Sequence, residues 1–194
     1  LLVGVAALLA EYNGIERAEH VRDKLAWLGF YLETIAGLGY LACHQCLTER
    51  GTELAYPNPV YSNAAKFFFA DNWHQAVKYV QDIAGGIICD IPSFKNFLSP
   101  QTHAMMEKYF GGKAGIPTEH RLRAILLAAN ACDSHTQGVT IHAEGSLAAQ
   151  RISLYGEVDW ERYKALARRA AGISDGSEHP LTREFPPPPW VRPK

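Results

Sequence analysis

His142-Ala143-Glu144-Gly145-Ser146-Leu147-Ala148-Ala149-Gln150-Arg151 is the stretch from which the rest of the chain is read. Gly145 lets the backbone turn tightly behind the carboxylate of Glu144. Ser146 is a good helix N-cap, so Leu147 to Tyr155 is predicted to be helical. An acid at the mouth of a helix N-terminus stands beside free N–H groups that can hold a substrate oxygen or a phosphate. The same residues also read as an ordinary capped turn in which Glu144 does no chemistry.

Working outward, the flanks are helical on both sides. Downstream, Asp159 to Ala171 reads as a last helix carrying Arg162, Lys164, Arg168 and Arg169, whose basic face reads as solvated. Upstream, Pro117 suits the first turn of a helix running to about Cys132, with Thr118 and Glu119 also fitting its start. Before it come a short helix, Gln101 to Phe110, closed by Gly111-Gly112, and an irregular section, Ile87 to Pro100. Val60 to Phe69 reads as an aromatic helix, and Asp71 or Asn72 can cap a successor, Trp73 to Ala84, that ends at Gly85-Gly86.

Nearer the start, residues 1–12 read as a buried helix stopped by Asn13-Gly14. From Ile15 to about Leu47, Ile15, Ala18, Val21, Leu25, Leu28, Ile35 and Leu38 are spaced for one helix face, with Glu16, Arg17, Glu19, Arg22 and Asp23 on the other. Thr48 to Pro59 reads as a loop. No β-strand pattern and no internal repeat stands out, so the fold class is all-α, a bundle of several long helices. Residues 1–173 are expected to form the helical domain. Residues 174–194, with Pro186 to Pro189, are expected to be an extended tail.

A formal net charge of −1 gives no hint of a nucleic-acid or membrane-surface partner. Four cysteines in 194 residues do not make a disulfide scaffold, and this composition suits a reducing cytoplasm. The opening Leu1 to Ala10 lacks the basic start of a signal peptide, and Glu11 interrupts it well short of the roughly 20 apolar residues a membrane span needs. An apolar run at full strength from residue 1 suggests a helix entered partway, and hence a portion of a longer protein.

Cys43-His44-Gln45-Cys46 invites a metal reading, but Cys89 and Cys132 stand alone and supply no second ligand pair. Within a helix, a CxxC sets its thiols about 300° apart, near one face, where they can simply pack. No metal site is therefore assigned. His74, His120 and His135 read as ordinary core or surface residues, and His142 is set apart only by its closeness to Glu144. Phe67 to Phe69 read as core, or as an aromatic wall against a planar cofactor. Gln81-Asp82-Ile83-Ala84-Gly85-Gly86 places an amide one turn before two glycines, which allow a backbone or a phosphate-bearing ligand to come close; a glycine C-cap is the other reading.

Together these pieces resemble the C-terminal helical domain of the acyl-CoA dehydrogenase-like flavoproteins. Glu144-Gly145-Ser146 with Gln150-Arg151 is similar to that superfamily's Glu-Gly-Thr motif and its downstream Gln-Arg, at the same spacing. Gln81 with Gly85-Gly86 resembles its Gln-x-x-Gly-Gly, although three residues rather than two intervene here. Ala10 to Gly14, Ala70 to Trp73, Tyr79 to Gly86, Gly115 to Arg121 and His142 to Ser146 resemble, more closely, the 4-hydroxybutyryl-CoA dehydratase/vinylacetyl-CoA isomerase branch of the 4-hydroxyphenylacetate 3-hydroxylase family. The likeness covers about residues 1–173.

The resemblance implies FAD as cofactor, a CoA thioester as substrate and a cytoplasmic homotetramer whose FAD site lies between subunits. It implies Glu144 as the catalytic acid/base, with Gln81, Gly85, Gly86, Ser146 and Gln150 toward the cofactor. Desolvation at a helix mouth makes a carboxyl hold its proton more tightly, which suits exchange with a thioester α-carbon. For the dehydratase it also implies a [4Fe–4S] cluster, whose ligands fall on none of this chain's residues, so this portion alone is not expected to turn over. Two other readings stay open: a flavin-dependent aromatic hydroxylase of the same family, and a non-catalytic helical assembly subunit.

Overall fold

In a computed structural model, the structure describes residues 1–142 and 145–173. Ala143, Glu144 and the Pro-rich tail from residue 174 lie outside the described residues. The elements are α1 (Leu2–Tyr12), α2 (Glu19–His44), β1 (Leu47–Thr48), β2 (Ala55–Tyr56), α3 (Pro59–Ala84), α4 (Ile87–Asp90), α5 (Phe94–Leu98), α6 (His103–Phe110), α7 (Thr118–Ala131), α8 (Ser134–His142), α9 (Leu147–Glu157) and α10 (Trp160–Ala170). The all-α expectation holds. The two short strands pair antiparallel, with Leu47 opposite Tyr56, and were too short to leave an alternating pattern.

The chain divides into two compact units, Leu1–Ile35 with Phe68–Gly145, and Ala36–Phe67 with Ser146–Lys194. Each has its own packing logic. In the first, α1 lies on α7, and Val5, Leu9, Val21, Leu28, Val80, Ile83, Leu122 and Ile125 are almost wholly buried. Each such side chain contributes about 1.5–3 kcal/mol on leaving water. The face expected of α2 turns inward in part: Val21 and Leu28 are buried and Leu25, Ile35 and Leu38 half-buried, while Glu19, Arg22 and Asp23 are exposed, and Tyr31, which the spacing did not single out, is buried with them. Tyr31 donates its hydroxyl to the Phe69 carbonyl at 2.8 Å, and burial pushes its phenol pKa up. Phe97, Met106 and Leu122 form a smaller cluster where α5 and α6 meet α7.

In the second unit, the Asn58 side-chain Oδ1 accepts from the Val60 N–H at 3.0 Å and the Asn58 backbone N–H donates to the Ala42 carbonyl at 2.9 Å. That starts α3. Farther along the helix, Asn63 donates to the Ser153 hydroxyl at 3.2 Å, tying α3 to α9.

Several expected boundaries move. Val60–Phe69 and Trp73–Ala84 are one helix, because no glycine or proline interrupts the run and Asn72, instead of capping, donates back to the Phe68 carbonyl at 2.9 Å. Helix α2 begins at Glu19, after a turn in which Ala18 N–H donates to the Ile15 carbonyl. Ile87–Pro100 is not wholly irregular: α4 and α5 lie in it, the latter capped by Ser93. Pro117, with ψ at 136°, is the N-cap of α7 and not its first turn. By length and composition α2 is apolar enough to cross a membrane, a test that core helices also pass.

Candidate functional site

The sequence-predicted residues fall into two groups. Gln81, Gly85 and Gly86 belong to the first unit; Ser146 and Gln150 belong to the second. Glu144 lies outside the described residues.

At the end of α3, the Gly85 N–H donates to the Gln81 carbonyl at 2.9 Å and Gly85 turns to φ +79°, a conformation open to glycine at little cost. Gly86 then caps α4. Among the described residues nothing lies within 4 Å of where a Cβ would stand on either glycine. Both are exposed, as is Gln81. The step therefore presents bare backbone outward. Beside it Asp82 meets Lys78 at 3.0 Å and Lys24 at 3.1 Å, and these partners hold its carboxyl below the usual range.

At the start of α9, Gly145 sits at φ +93° and the Ser146 hydroxyl oxygen accepts from the Ala149 N–H at 3.1 Å, so the predicted cap is formed. One turn on, Gln150 is buried, only 5% exposed, and its Oε1 has no hydrogen-bond partner. A buried amide oxygen without a donor costs about 1–3 kcal/mol. It marks a place where a ligand N–H would be welcome. Arg151 lies over the Phe67 ring, 4.9 Å from its centroid, while Phe68 and Phe69 pack against Tyr31 at 5.9 and 6.2 Å. The aromatic run thus divides between a cation contact and core.

A polar cluster that the sequence did not single out stands behind the glycine step. Asn13, the C-cap of α1, donates Nδ2 to the Ile83 carbonyl at 3.2 Å and accepts on Oδ1 from Arg121 Nε at 2.8 Å. Arg121 also donates to the Phe110 carbonyl at 2.7 Å. Lys113 adds a backbone bond to the Tyr12 carbonyl, 2.8 Å, and an ion pair to Glu16, 2.6 Å. The available signal was an asparagine, a residue rich in donors and acceptors, at a helix end.

The CxxC pair straddles the end of α2: Cys43 is in its last turn, and Cys46 lies beyond it and donates its N–H to the Cys43 carbonyl. All four cysteines are free. Among the described residues no group of three or more His, Cys, Asp or Glu side chains could hold a metal ion. His142 ends α8 exposed.

The family model described as 4-hydroxyphenylacetate 3-hydroxylase C terminal matches residues 1–172. The 4-hydroxybutyryl-CoA dehydratase/vinylacetyl-CoA-Δ-isomerase of Clostridium aminobutyricum is 31% identical over 192 residues, an alignment spanning 89% of this chain and 38% of that protein. The solved oxygen-tolerant archaeal 4-hydroxybutyryl-CoA dehydratase from N. maritimus superposes with a TM-score of 0.78 at 30% identity, over 92% of this chain and 36% of that one. The oxygenase component of 4-hydroxyphenylacetate 3-monooxygenase, solved with FAD, gives a TM-score of 0.79 at 22% identity, over 87% of this chain and 36% of that one, a likeness of fold. The chain spans under two-fifths of the length of each. Matched along nearly all of its described length, the chain belongs to the 4-hydroxyphenylacetate 3-hydroxylase family and carries that family's C-terminal helical domain.

Proposed function

We propose that this chain is the C-terminal part of a flavin-dependent enzyme acting on a CoA thioester, converting 4-hydroxybutyryl-CoA to crotonyl-CoA and isomerising vinylacetyl-CoA. The observation that carries the reading is the orphaned, buried Gln150 Oε1 one turn into α9, in the segment whose sequence resembles the flavoprotein motif. FAD offers ring and amine N–H groups of the kind that amide oxygen lacks. The exposed Gly85-Gly86 step, with no side chain in the way, suits a pyrophosphate or ring edge. In the second unit, the unpartnered Gln150 and the cap residue Ser146 would hold the cofactor from α9; in the first unit, Gln81, Gly85 and Gly86 would meet the FAD of a neighbouring subunit. Support for the thioester substrate comes from the 31% identity to the clostridial dehydratase/isomerase.

Glu144 acts as the base, accepting the proton from the carbon beside the thioester carbonyl. For vinylacetyl-CoA that suffices in outline, since the isomerisation moves one proton from the α- to the γ-carbon with no net change of electrons. The dehydration removes one α- and one β-hydrogen and the γ-hydroxyl and returns one proton to the γ-carbon, a net loss of water with no net change of electrons. Flavin, when bound, would supply reversible electron transfer, accepting and then returning an electron so that the unactivated β-hydrogen can leave. A base placed in this way contributes about 10²–10⁴-fold. We further propose a cytoplasmic homotetramer with the flavin between subunits, residues 1–173 forming the helical domain and residues 174–194 an extended tail. No step is assigned to an iron–sulfur cluster.

The test is purification of the intact protein, followed by extraction of bound flavin and assay with 4-hydroxybutyryl-CoA and vinylacetyl-CoA. Stoichiometric FAD and formation of crotonyl-CoA are expected. Turnover of 4-hydroxyphenylacetate with reduced flavin and O2, and none of either thioester, would overturn the assignment.

A further inference from the structure

We propose that Asn13 and Arg121 are positioning residues that clamp the end of α3 and so hold the Gly85-Gly86 step in the shape that receives flavin, an inference that rests on the flavin reading above. A helix end leaves its last carbonyls without intrahelical partners, and the residues beyond it are then free to fray. In α3 the Ile83 carbonyl is one of these, two residues before Gly85. It is satisfied from 70 positions away by Asn13 Nδ2, so the C-cap of α1 also caps α3.

The direction of the Asn13 amide is settled by chemistry. Arg121 can only donate and the Ile83 carbonyl can only accept, so Oδ1 faces the guanidinium and Nδ2 faces α3. Arg121 is in turn fixed by the Phe110 carbonyl at the end of α6. Gly112 allows the approach: a Cβ there would stand 2.2 Å from the Tyr12 carbonyl oxygen and 2.6 Å from Arg121 Cδ. One bond, from Asn13, thus reaches the α3 carbonyl, and Arg121 and the Phe110 carbonyl hold that asparagine in place. In contrast, among the described residues nothing lies within 4 Å of where a Cβ would stand on either glycine, and the clamp holds the helix end from the other side.

Asn13→Asp separates positioning from folding. The carboxylate keeps an acceptor for Arg121 but has no donor for the Ile83 carbonyl. In the intact protein the melting midpoint should stay within a few degrees of the parent. Amide hydrogen exchange over residues 81–90 should quicken while α7 is unchanged, and the FAD dissociation constant should rise about ten-fold. Arg121→Lys, which keeps the charge but loses the Nε donor, should show the same signature. Unchanged exchange at 81–90 would overturn the clamp. Quicker exchange with unchanged FAD affinity would overturn its link to the cofactor. A parent protein that binds no FAD would refute the flavin reading, and this inference with it, a result identified from the parent alone.

Discussion

A Cβ on Gly112 would stand 2.2 Å from the carbonyl oxygen of Tyr12, closer than any two such atoms can approach. Both belong to the junction where the end of α1 meets the loop after α6, and the neighbouring Lys113 N–H donates to the same carbonyl. Gly112→Ala must therefore push this junction apart. The expected cost is about 1–3 kcal/mol, the usual penalty of overpacking, read from the denaturation midpoint.

Gly86 predicts the opposite sign. Its φ of −56° and ψ of −24° suit any residue, and among the described residues nothing lies within 4 Å of its missing Cβ. Gly86→Ala should stabilise the protein by about 0.4–1 kcal/mol through the unfolded chain, yet weaken FAD binding by covering the exposed backbone. A calorimetric melt and a flavin titration on one preparation would read both.

Asp82 predicts a pH dependence. Its carboxyl is held below the ordinary 3.8, first by its hydrogen bond to Lys78 and then by Lys24. A depressed native pKa contributes stability that is fully present above 3.8 and is lost as pH falls through the lower native value. Asp82→Asn should flatten the melting midpoint below that pH and leave the profile near neutrality with the same shape.

The cysteines should differ in reactivity. Cys132 is buried, and burial together with Asp133 pushes its thiol up to about 11, whereas Cys43 and Cys89 are exposed. Only thiolates alkylate quickly. Iodoacetamide on the native protein at pH 8 should label Cys43 and Cys89 and spare Cys132 until denaturant is added, as peptide mass mapping would show.

What could be read from the sequence was what local chemistry writes there. Ser146 caps α9 as its residue type demands, and Asn13-Gly14 ends α1 where a turn dipeptide should. The burial of Val21 and Leu28 on α2 follows from helical spacing. Asp71-Asn72 misled because cap-forming residues also sit within helices when no breaker follows, and Pro117 missed its position by one residue. The Asn13–Arg121 contact spans 108 positions, and neither residue type names its partner. The same holds for Gln150: its place in a motif was legible, but its burial without a donor was visible only in three dimensions.

The most direct measurement is exchange of the α-proton of a CoA thioester for deuterium, catalysed by the intact protein in D2O, with Glu144→Gln beside the parent. The parent should exchange the protons on the saturated α-carbon of 4-hydroxybutyryl-CoA or vinylacetyl-CoA, and the variant should keep its FAD while exchange falls by about 10²–10⁴-fold. Exchange that proceeds at the parental rate in Glu144→Gln would contradict it.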